Sequence, residues 1–397
     1  VSSIVAANII PRSNLASCSM GGLAFSSLVL WGDVAAANLS SSIGAPWAKP
    51  WVSFATIVTL AGTAAAVLLF YVGQHSRVPR VSRLFIHPVK SCAPIEVSAI
   101  RFDGLGIVGD RRWAVLDMES EPDSRVLNQR AHPQLTQIVP SFAQQPVEVE
   151  PSELLLEAPG MAQLRVLVPD TKSSRCLEIS QWGVPGVVVD CGDGAAKWVT
   201  TFLGSERQLR LGYYPCRMGT GTEPRNMCRQ AAWNGGNEAN SVYMKGTRVG
   251  FADSTHATVL SEASIVDLNR HMPRGTAPLT AERFRMNILL SGTRAYAEEL
   301  WKQFAIGGMD FEASRLCNRC AITLVDPAVG ERLPGGGEPL RTLRSYRSHE
   351  HLWRVDPRHG TNPILGTKVC TPTSAGIVRI GDSVASVVLR TASDRQY

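Results

Sequence analysis

A stretch of 21 residues without a charged side chain, residues 52–72, sets the first limit on how this chain can fold. An uncharged apolar run of that length is sufficient for an α-helix to cross a lipid bilayer. Trp51 and Tyr71 lie at its two ends, where aromatic residues favour the bilayer interface. A buried helix of a soluble core is the alternative interpretation. We therefore predict a transmembrane anchor over residues 52–72, followed by a globular part.

The basic residues around this stretch predict its orientation. Arg77, Arg80 and Arg83 follow it, whereas Lys49 alone lies close before it. Because positive charge is retained on the cytoplasmic side of a membrane, the large C-terminal part is expected in the cytosol. Residues 1–51 show no periodicity and form an N-terminal extension, for which targeting and disorder are the two interpretations.

Composition excludes several classes of protein. The chain has 397 residues, 44% of them hydrophobic, which is enough for buried cores in two domains. Its net charge of +6 is scattered without the interleaved aromatic residues of nucleic-acid binders, so no nucleic-acid partner is predicted. Nine cysteines at irregular spacing do not suit a disulfide framework and favour a reducing compartment.

From Pro79 onward, short apolar runs between turn residues predict a mainly β protein with a few helices. Strands are predicted over residues 81–86, 111–117, 154–157 and 164–168, and a turn at Gly183 returns the chain through GVVVD. Helices are predicted over residues 195–203, after Ser261 as N-cap, and over 339–347. Residues 217–245, rich in glycine and asparagine, predict a long loop between two halves.

The segment SRLCNRCAITLVDPAVGE, residues 314–331, contains a C-x-x-C pair formed by Cys317 and Cys320. This spacing suits a zinc knuckle or a dithiol redox pair. A redox pair should open a helix after a strand, whereas the AITLV that follows Cys320 favours a β-strand. A single metal-ligating thiolate and a buried packing cysteine are the other two interpretations.

A structural zinc site would need a second pair of ligands. Cys370 and the histidines His349, His351 and His359 do not supply a second knuckle of regular spacing. The choice between the remaining interpretations of Cys320 therefore depends on the motifs elsewhere in the chain.

Six segments occur in one order with compatible spacing. They are HPVKS (residues 87–91), GDRRW (109–113), ADSTHATVLSEASIVDLN (252–269), FRMN (284–287), the cysteine segment, and PLRTLRSYR (339–347). In this order the sequence resembles the MOSC superfamily of molybdenum-cofactor proteins, and within it the mitochondrial amidoxime-reducing component. The resemblance implies an α+β fold that is mainly β, with a MOSC N-terminal β-barrel-like domain at residues 79–215 and a MOSC β-barrel domain at 216–397. The cofactor is expected between the two.

The resemblance also assigns residues to a pterin-dithiolene molybdenum cofactor. Cys320 corresponds to the metal ligand, Arg319 beside it would favour the thiolate, and Cys317 becomes a packing cysteine. Ammonium and guanidinium groups supply charge to such a cofactor, and hydroxyls supply directed hydrogen bonds. The other cofactor contacts implied are Lys90, Ser91, Arg111, Asp253, Ser254, Thr255, Arg285 and Asn287.

Three expectations about local geometry accompany these assignments. Arg112 follows Arg111 in a predicted strand, so its side chain is expected on the opposite face. Arg285 and Asn287, two apart in an extended segment, are expected on the same side. Residues 253–255 are expected to form a polar loop just before a helix start, where free amides can hold an anion.

The activity implied by the resemblance is two-electron reduction of small N-hydroxylated compounds such as amidoximes, hydroxylamines and N-oxides. Molybdenum(IV) would take the substrate oxygen and be regenerated by single electrons from NADH, through a reductase and cytochrome b5. Asp326 corresponds to a family carboxylate that could relay protons, with a turn-forming role beside Pro327 as the alternative. The membrane implied is the mitochondrial outer membrane.

Two other classes of function remain. A MOSC module can be a non-catalytic carrier of the molybdenum cofactor or its sulfur, and the superfamily also includes sulfurases with a pyridoxal-phosphate domain, for which this chain is too short. A membrane-tethered scaffold would leave Cys320 and the arginines unexplained. The chain shows no glycine fingerprint of its own for a dinucleotide.

Overall fold

The structure is a computed structural model that describes residues 78–144, 150–215, 229–230, 247–332, 337–348, 362–372 and 375–391. The predicted anchor at residues 52–72, the extension at 1–51 and the histidines His349, His351 and His359 lie outside these residues. Within the ranges described, no helix has both the length and the apolar character needed to cross a membrane.

The described part is mainly β with few helices, as predicted. Its α-helices are α1 (Asp193–Leu203), α2 (Glu262–His271) and α3 (Leu340–Arg347). Its strands are β1 (Arg80–Ile86), β2 (Ile95–Val97), β3 (Ala99–Asp103), β4 (Gly106–Ile107), β5 (Trp113–Asp117), β6 (Val139–Ser141), β7 (Glu153–Glu157), β8 (Leu164–Leu167), β9 (Cys176–Gln181), β10 (Val184–Asp190), β11 (Leu209–Tyr213), β12 (Arg229–Gln230), β13 (Arg248–Val249), β14 (Ala257–Ser261), β15 (Ile288–Ser291), β16 (Trp301–Ile306), β17 (Met309–Asn318), β18 (Val325–Asp326), β19 (Glu331–Arg332), β20 (Ile364–Cys370), β21 (Gly376–Arg379) and β22 (Val384–Leu389).

The largest sheet has eight strands in the order β2-β1-β15-β14-β20-β17-β16-β22. Its neighbours are antiparallel except β14 and β15, which are parallel and connected through α2. A three-stranded sheet, β21-β3-β4, packs against it through an apolar core. Phe102 from the small sheet meets Phe311 from the large one edge-on, and Phe304 stacks on Phe311. The Phe102–Phe311 contact joins the two sheets, and the Phe304 ring supports Phe311 within the large sheet.

The four-stranded sheet β5-β11-β10-β9 has an apolar core on each face. Along β5 the side chains alternate, as a strand requires. Trp113 and Val115 pack on the face covered by α1, whereas Ala114 and Leu116 pack on the other face with Phe251. Because Phe251 comes from the later part of the chain, this second core joins the first half of the described chain to the second.

Two local predictions are confirmed in detail. The hydroxyl of Ser261 accepts a hydrogen bond of 3.1 Å from the Ser264 N–H and caps the start of α2. The hairpin of β9 and β10 turns at Trp182 and Gly183, which have φ of 60° and 73°. Positive φ at both positions is typical of a two-residue type I′ turn.

Four predictions of local structure are wrong. The strand expected from residue 111 begins at Trp113, because Arg111 has φ of 49° and donates its N–H to the His87 carbonyl. Arg285 is not extended; it has φ of 54° and ends the 3₁₀ helix Ala281–Phe284. The AITLV run forms the 3₁₀ helix Ala321–Leu324, fixed by the Thr323 N–H and hydroxyl on the Cys320 carbonyl.

The fourth correction concerns the polar loop at residues 253–255. This loop precedes β14, and the helix α2 begins only after that strand. The loop therefore supplies no free N–H groups of a helix N-terminus. Only its side chains and its own loop amides are available to bind an anion. The two described residues of the predicted long loop at 217–245 form β12, which pairs with β13.

A buried polar network connects α2, α3 and β20. Glu298 accepts hydrogen bonds from the Ser261 N–H at 3.1 Å and the Ser264 hydroxyl at 3.2 Å. Glu299 accepts from the Gly366 N–H at 2.9 Å and pairs with Arg347. Burial, reinforced by the neighbouring Glu299, raises the pKa of Glu298 to about 7.

Candidate functional site

A cavity of about 450 Å³ lies where the two halves of the described chain meet. Every residue that the resemblance assigned to the cofactor, and both cysteines of the C-x-x-C pair, contribute to its lining. From the part before residue 215 the polar and charged side chains are Lys90, Ser91, Arg111, Asp123, Asn128, Arg130, Gln181 and Trp182. From the part after residue 247 the polar, charged and thiol side chains are Asp253, Ser254, Thr255, Thr258, Arg285, Asn287, Arg315, Cys317, Asn318, Arg319, Cys320, Thr323, Asn362 and Lys368.

Unusual backbone conformations concentrate at this cavity. Among the described residues, six that are not glycine have positive φ, and four of these line the cavity: Ser91, Arg111, Trp182 and Arg285. Left-handed conformations are costly for residues with a Cβ, and they gather at sites where function requires them. The clustering marks the cavity as a functional site independently of any motif.

Arg111 is held in place by a buried hydrogen-bond network. Its guanidinium donates to Asp110, to the side-chain oxygen of Asn287 at 3.3 Å and to the Arg285 carbonyl at 3.1 Å. Burial alone would raise the pKa of Asp110, but the Arg111 guanidinium and the hydrogen bonds from His87 hold it well below its usual range. Asp110 is therefore ionised, and it fixes the direction of the Arg111 side chain.

Arg285 presents a buried cation to the cavity. One terminal nitrogen donates to the Cys92 carbonyl at 2.7 Å, while Nη2 is buried without a partner in the described part of the chain. Burial and the nearby Arg111 charge lower the pKa of Arg285 to about 10, so it remains charged at neutral pH. A buried guanidinium with a free donor favours an anionic or strongly polar ligand.

Two lysines extend the cationic lining. Lys90 donates to the Asp253 carboxylate at 2.6 Å and to the Phe251 carbonyl at 3.0 Å. Lys368, on β20, donates to the Ser254 hydroxyl at 3.1 Å. Burial lowers the pKa of Lys368, and the nearby Cys317 acts in the opposite direction. Lys368 thus places its amino group close to Cys317.

The charge balance of the lining is strongly positive. It has seven basic side chains, against the two carboxylates Asp123 and Asp253. Cations gathered in a partly enclosed cavity raise the local concentration of anions. The cavity therefore suits a ligand that carries phosphate or other negative groups.

Arg319 and Cys320 differ in what they offer a ligand. The Arg319 guanidinium is buried and donates to the carbonyls of Leu365 at 2.9 Å and Phe284 at 3.0 Å, and to the Met286 sulfur. It therefore braces the segment that carries Cys320. Cys320 is half-buried at the start of the 3₁₀ helix, whereas Cys317 is 4% exposed on β17.

Asp326 and Arg112 lie outside the cavity lining. The Asp326 carboxylate pairs with Arg283 at 3.1 Å and accepts the Ala328 N–H, which is the turn-forming role beside Pro327. Arg112 is 2% exposed, and its Nη2 donates to both carboxylate oxygens of Asp103 at 2.7 and 2.6 Å. The side chains of Arg112 and Arg111 have different partners, as expected for opposite directions, although Arg111 lies in a turn and Arg112 precedes β5.

Comparison with known families decides where the chain belongs. Residues 78–206 match the MOSC N-terminal beta barrel domain, and residues 246–385 match the MOSC domain. This chain belongs to the MOSC family. The cavity of this MOSC protein is thus built from residues of both matched regions.

The relatives of this MOSC protein have related names. Mitochondrial amidoxime reducing component 2 of Bos taurus is 30% identical over 79% of this chain and 84% of that protein. Mitochondrial amidoxime-reducing component 1 of Mus musculus is 30% identical over 78% of this chain and 82% of that protein. The component 1 of Homo sapiens is 29% identical over 78% and 83%.

The lining of this MOSC cavity fits a cofactor that brings its own metal ligands. Within the described ranges, no group of three or more His, Cys, Asp or Glu side chains could hold a metal ion. A metal on Cys320 would take its other ligands from a cofactor, and a soft dithiolene matches a thiolate. Nη2 of Arg285 and Oε1 of Gln181, which have no partner in the described part of the chain, offer a donor and an acceptor for its polar edges.

Several lining residues were not predicted from the sequence, among them Arg130, Trp182, Arg315 and Lys368. Lys368 had a weak signal, since it is a single cation within the otherwise uncharged strand ILGTKVC. Trp182 also had a sequence signal, since a bulky aromatic residue before glycine is unusual in a tight hairpin turn. Arg130 and Arg315 have no local signal that distinguishes them from surface arginines.

Proposed function

We propose that this chain is a molybdenum-cofactor-dependent oxidoreductase that reduces N-hydroxylated compounds, including amidoximes, hydroxylamines and N-oxides. The observation that carries the proposal is a single cavity in which Cys320 lies among seven basic side chains. The names of the relatives, amidoxime-reducing components, support the substrate class.

A bound molybdenum–pterin group would supply two-electron redox chemistry to the cavity. Cys320 would hold the metal, because a polarizable thiolate suits a soft, sulfur-rich centre. Lys90, Arg285 and Lys368 would hold anionic groups of the cofactor through charge-assisted hydrogen bonds. The hydroxyls of Ser91, Ser254 and Thr255, all buried in the lining, supply directed polar contacts.

The overall reaction needs few protein groups. Reduction of an amidoxime to an amidine breaks one N–O bond, consumes two electrons and two protons, and releases water. We assign the electrons to NADH, through a reductase and cytochrome b5. Asp326 is paired with Arg283 away from the cavity lining, so the proposal gives it a structural role and takes protons from solvent at the cavity mouth.

We propose further that residues 52–72 anchor the protein in the mitochondrial outer membrane, with the C-terminal part in the cytosol. The mitochondrial names of the relatives support this location. Alkaline extraction of mitochondria that express the full chain should leave it in the membrane fraction. Release of the full chain into the soluble fraction would contradict the anchor.

One experiment tests the proposed activity. The full chain is purified, its molybdenum and pterin are quantified, and reduction of benzamidoxime to benzamidine is followed with a chemically reduced dye as donor. Molybdenum and pterin near one per chain, together with turnover, are expected. Molybdenum without turnover would favour the cofactor carrier, and stoichiometric zinc would contradict the metal assignment.

A further inference from the structure

Trp182 is placed differently from the other residues of the cavity. It forms the tip of the β9–β10 hairpin at the cavity rim, and 38% of its surface is exposed. Ser254, Asn287 and Arg319, which form the deep part of the lining, are almost fully buried. A molecule that enters from solvent would meet the indole ring before it reaches the buried residues.

The backbone at Trp182 is unfavourable for this residue type. Both turn positions of a type I′ hairpin need positive φ, which favours asparagine, aspartate or glycine. Trp182 occupies the first of them with φ of 60°. Because the ring belongs to none of the apolar cores of the described chain, packing does not explain a tryptophan here. Strained residues at a cavity rim point to a ligand role.

Two contacts hold the ring in a fixed orientation. The indole N–H donates to the Asp253 carboxylate at 3.3 Å, and this carboxylate is itself fixed by Lys90. The Arg130 guanidinium carbon lies 5.5 Å from the ring centroid, within the range of a cation–π contact. A rigid, partly exposed aromatic surface is thus presented at the entrance of the site.

We propose that Trp182 is a stacking platform, positioned by Asp253 and Arg130, that makes the site prefer N-hydroxylated substrates with a planar aromatic group beside the reacting nitrogen. The proposal rests on the proposed function and specifies its substrate class. Offset stacking of two aromatic systems adds to affinity beyond simple burial, whereas an aliphatic group gains no such contribution. Trp182 is therefore a specificity-determining residue.

The test measures equilibrium binding to the full-length holoenzyme by calorimetry without a reductant, so that no turnover occurs. Benzamidoxime and acetamidoxime share the reacting group and differ in the aromatic ring. Trp182→Asn removes the ring and suits the turn, so the ratio of their dissociation constants should shift about two- to tenfold against benzamidoxime. Trp182→Phe keeps an aromatic face and should retain most of the preference.

Controls separate this role from its alternatives. Leu167→Ala removes an exposed apolar side chain outside the cavity lining and should leave the ratio unchanged. The melting temperature of Trp182→Asn should equal or exceed that of the wild type, because asparagine tolerates the left-handed conformation. A lower melting temperature with an unchanged ratio would make Trp182 a structural residue.

Two further outcomes would overturn the proposal. If Trp182→Asn weakens the binding of both compounds equally, the ring does not distinguish them. Loss of molybdenum from Trp182→Asn would assign the ring to the pterin. Failure of the proposed function is a separate result: wild-type protein that turns over no N-hydroxylated compound would refute it, while the binding ratios would still test the platform.

Discussion

Substitution by alanine should lower the stability of the protein at Arg112 and its cofactor content at Arg285, although both residues belong to motifs of the same family. Arg112→Ala removes one partner of a buried ion pair and leaves Asp103 without its cation. The two side chains are only 3% and 14% exposed, and Nη2 of Arg112 meets both carboxylate oxygens. Loss of one partner from a buried pair costs about 3–5 kcal/mol. At the lower figure the melting temperature should fall by roughly 6–12 °C.

Arg285→Ala should instead lower cofactor content. Arg285 lines the cavity with a donor that has no partner among the described residues, and a charge-assisted contact contributes roughly 1.5–3 kcal/mol. That corresponds to about ten- to a hundredfold in affinity. Molybdenum occupancy at limiting cofactor should therefore fall, while the melting temperature of cofactor-free protein changes little.

The assay combines thermal unfolding of cofactor-free protein with molybdenum per folded chain. Asp103→Asn is the matched control. It removes the carboxylate partner of Arg112 and leaves that charge buried, so it should destabilise the protein in the same way. The double variant Arg112→Met with Asp103→Leu should recover part of the loss, since it removes both charges. Unchanged stability of Arg112→Ala together with lost molybdenum would refute the assignment of these two arginines.

Three further predictions concern the metal ligand, a buried carboxylate and the anchor. Cys320→Ala should abolish dye-supported turnover and lower molybdenum content with the fold retained by circular dichroism, whereas Cys317→Ala should keep most activity; equal behaviour of the two would remove the ligand assignment. Because the folded-state pKa of Glu298 is raised from 4.5 to about 7, its contribution to stability is present below pH 4.5 and lost as pH rises through 7. Glu298→Gln should therefore raise the free energy of unfolding more at pH 8 than at pH 5 and flatten its pH dependence, and denaturant titrations at the two pH values check this. Deletion of residues 1–76 should yield a soluble protein that still binds molybdenum, since the cavity lining begins at Lys90, and an aggregated product without cofactor would contradict the anchor.

The sequence predicted elements whose cause is local. The Ser261 cap, the Gly183 turn and the strand at residues 81–86 follow from side chains a few positions apart, and the structure contains all three. The positive φ of Arg111 and Arg285 could not be predicted, because it accompanies hydrogen bonds between residues far apart in sequence: the Arg111 N–H donates to the His87 carbonyl, and the Arg111 guanidinium donates to the Arg285 carbonyl. The AITLV run was predicted wrongly for a different reason: the N–H and hydroxyl of Thr323 both donate to the nearby Cys320 carbonyl, and this local contact outweighs the β propensity of the run.

Most of the expected residues of the candidate site could be predicted, but from the order of motifs and not from local structure. The order of the motifs predicted residues that all line the cavity, except the proton relay at Asp326. The periodicity of apolar residues could not have shown that these distant residues lie together. Lys368 was missed because one lysine in a strand is more often a solvated side chain than a cavity group. Only the pairing of β20 with β14 and β17 brings Lys368 beside Ser254 and the cysteine segment.

Because the two matched regions share one cavity, binding of the proposed cofactor there would link cofactor supply to the lifetime of the protein. A ligand that contacts both regions binds the assembled form and not the unfolded chain, so it stabilises that form by mass action, by about 2.7 kcal/mol at a hundredfold excess over its dissociation constant. A chain made without cofactor keeps seven basic side chains close together with no ligand to offset their repulsion. Cellular proteases act on the unfolded fraction, and a difference of this size changes steady-state abundance several-fold. The amount of this protein in a cell would then report on how much cofactor the cell makes.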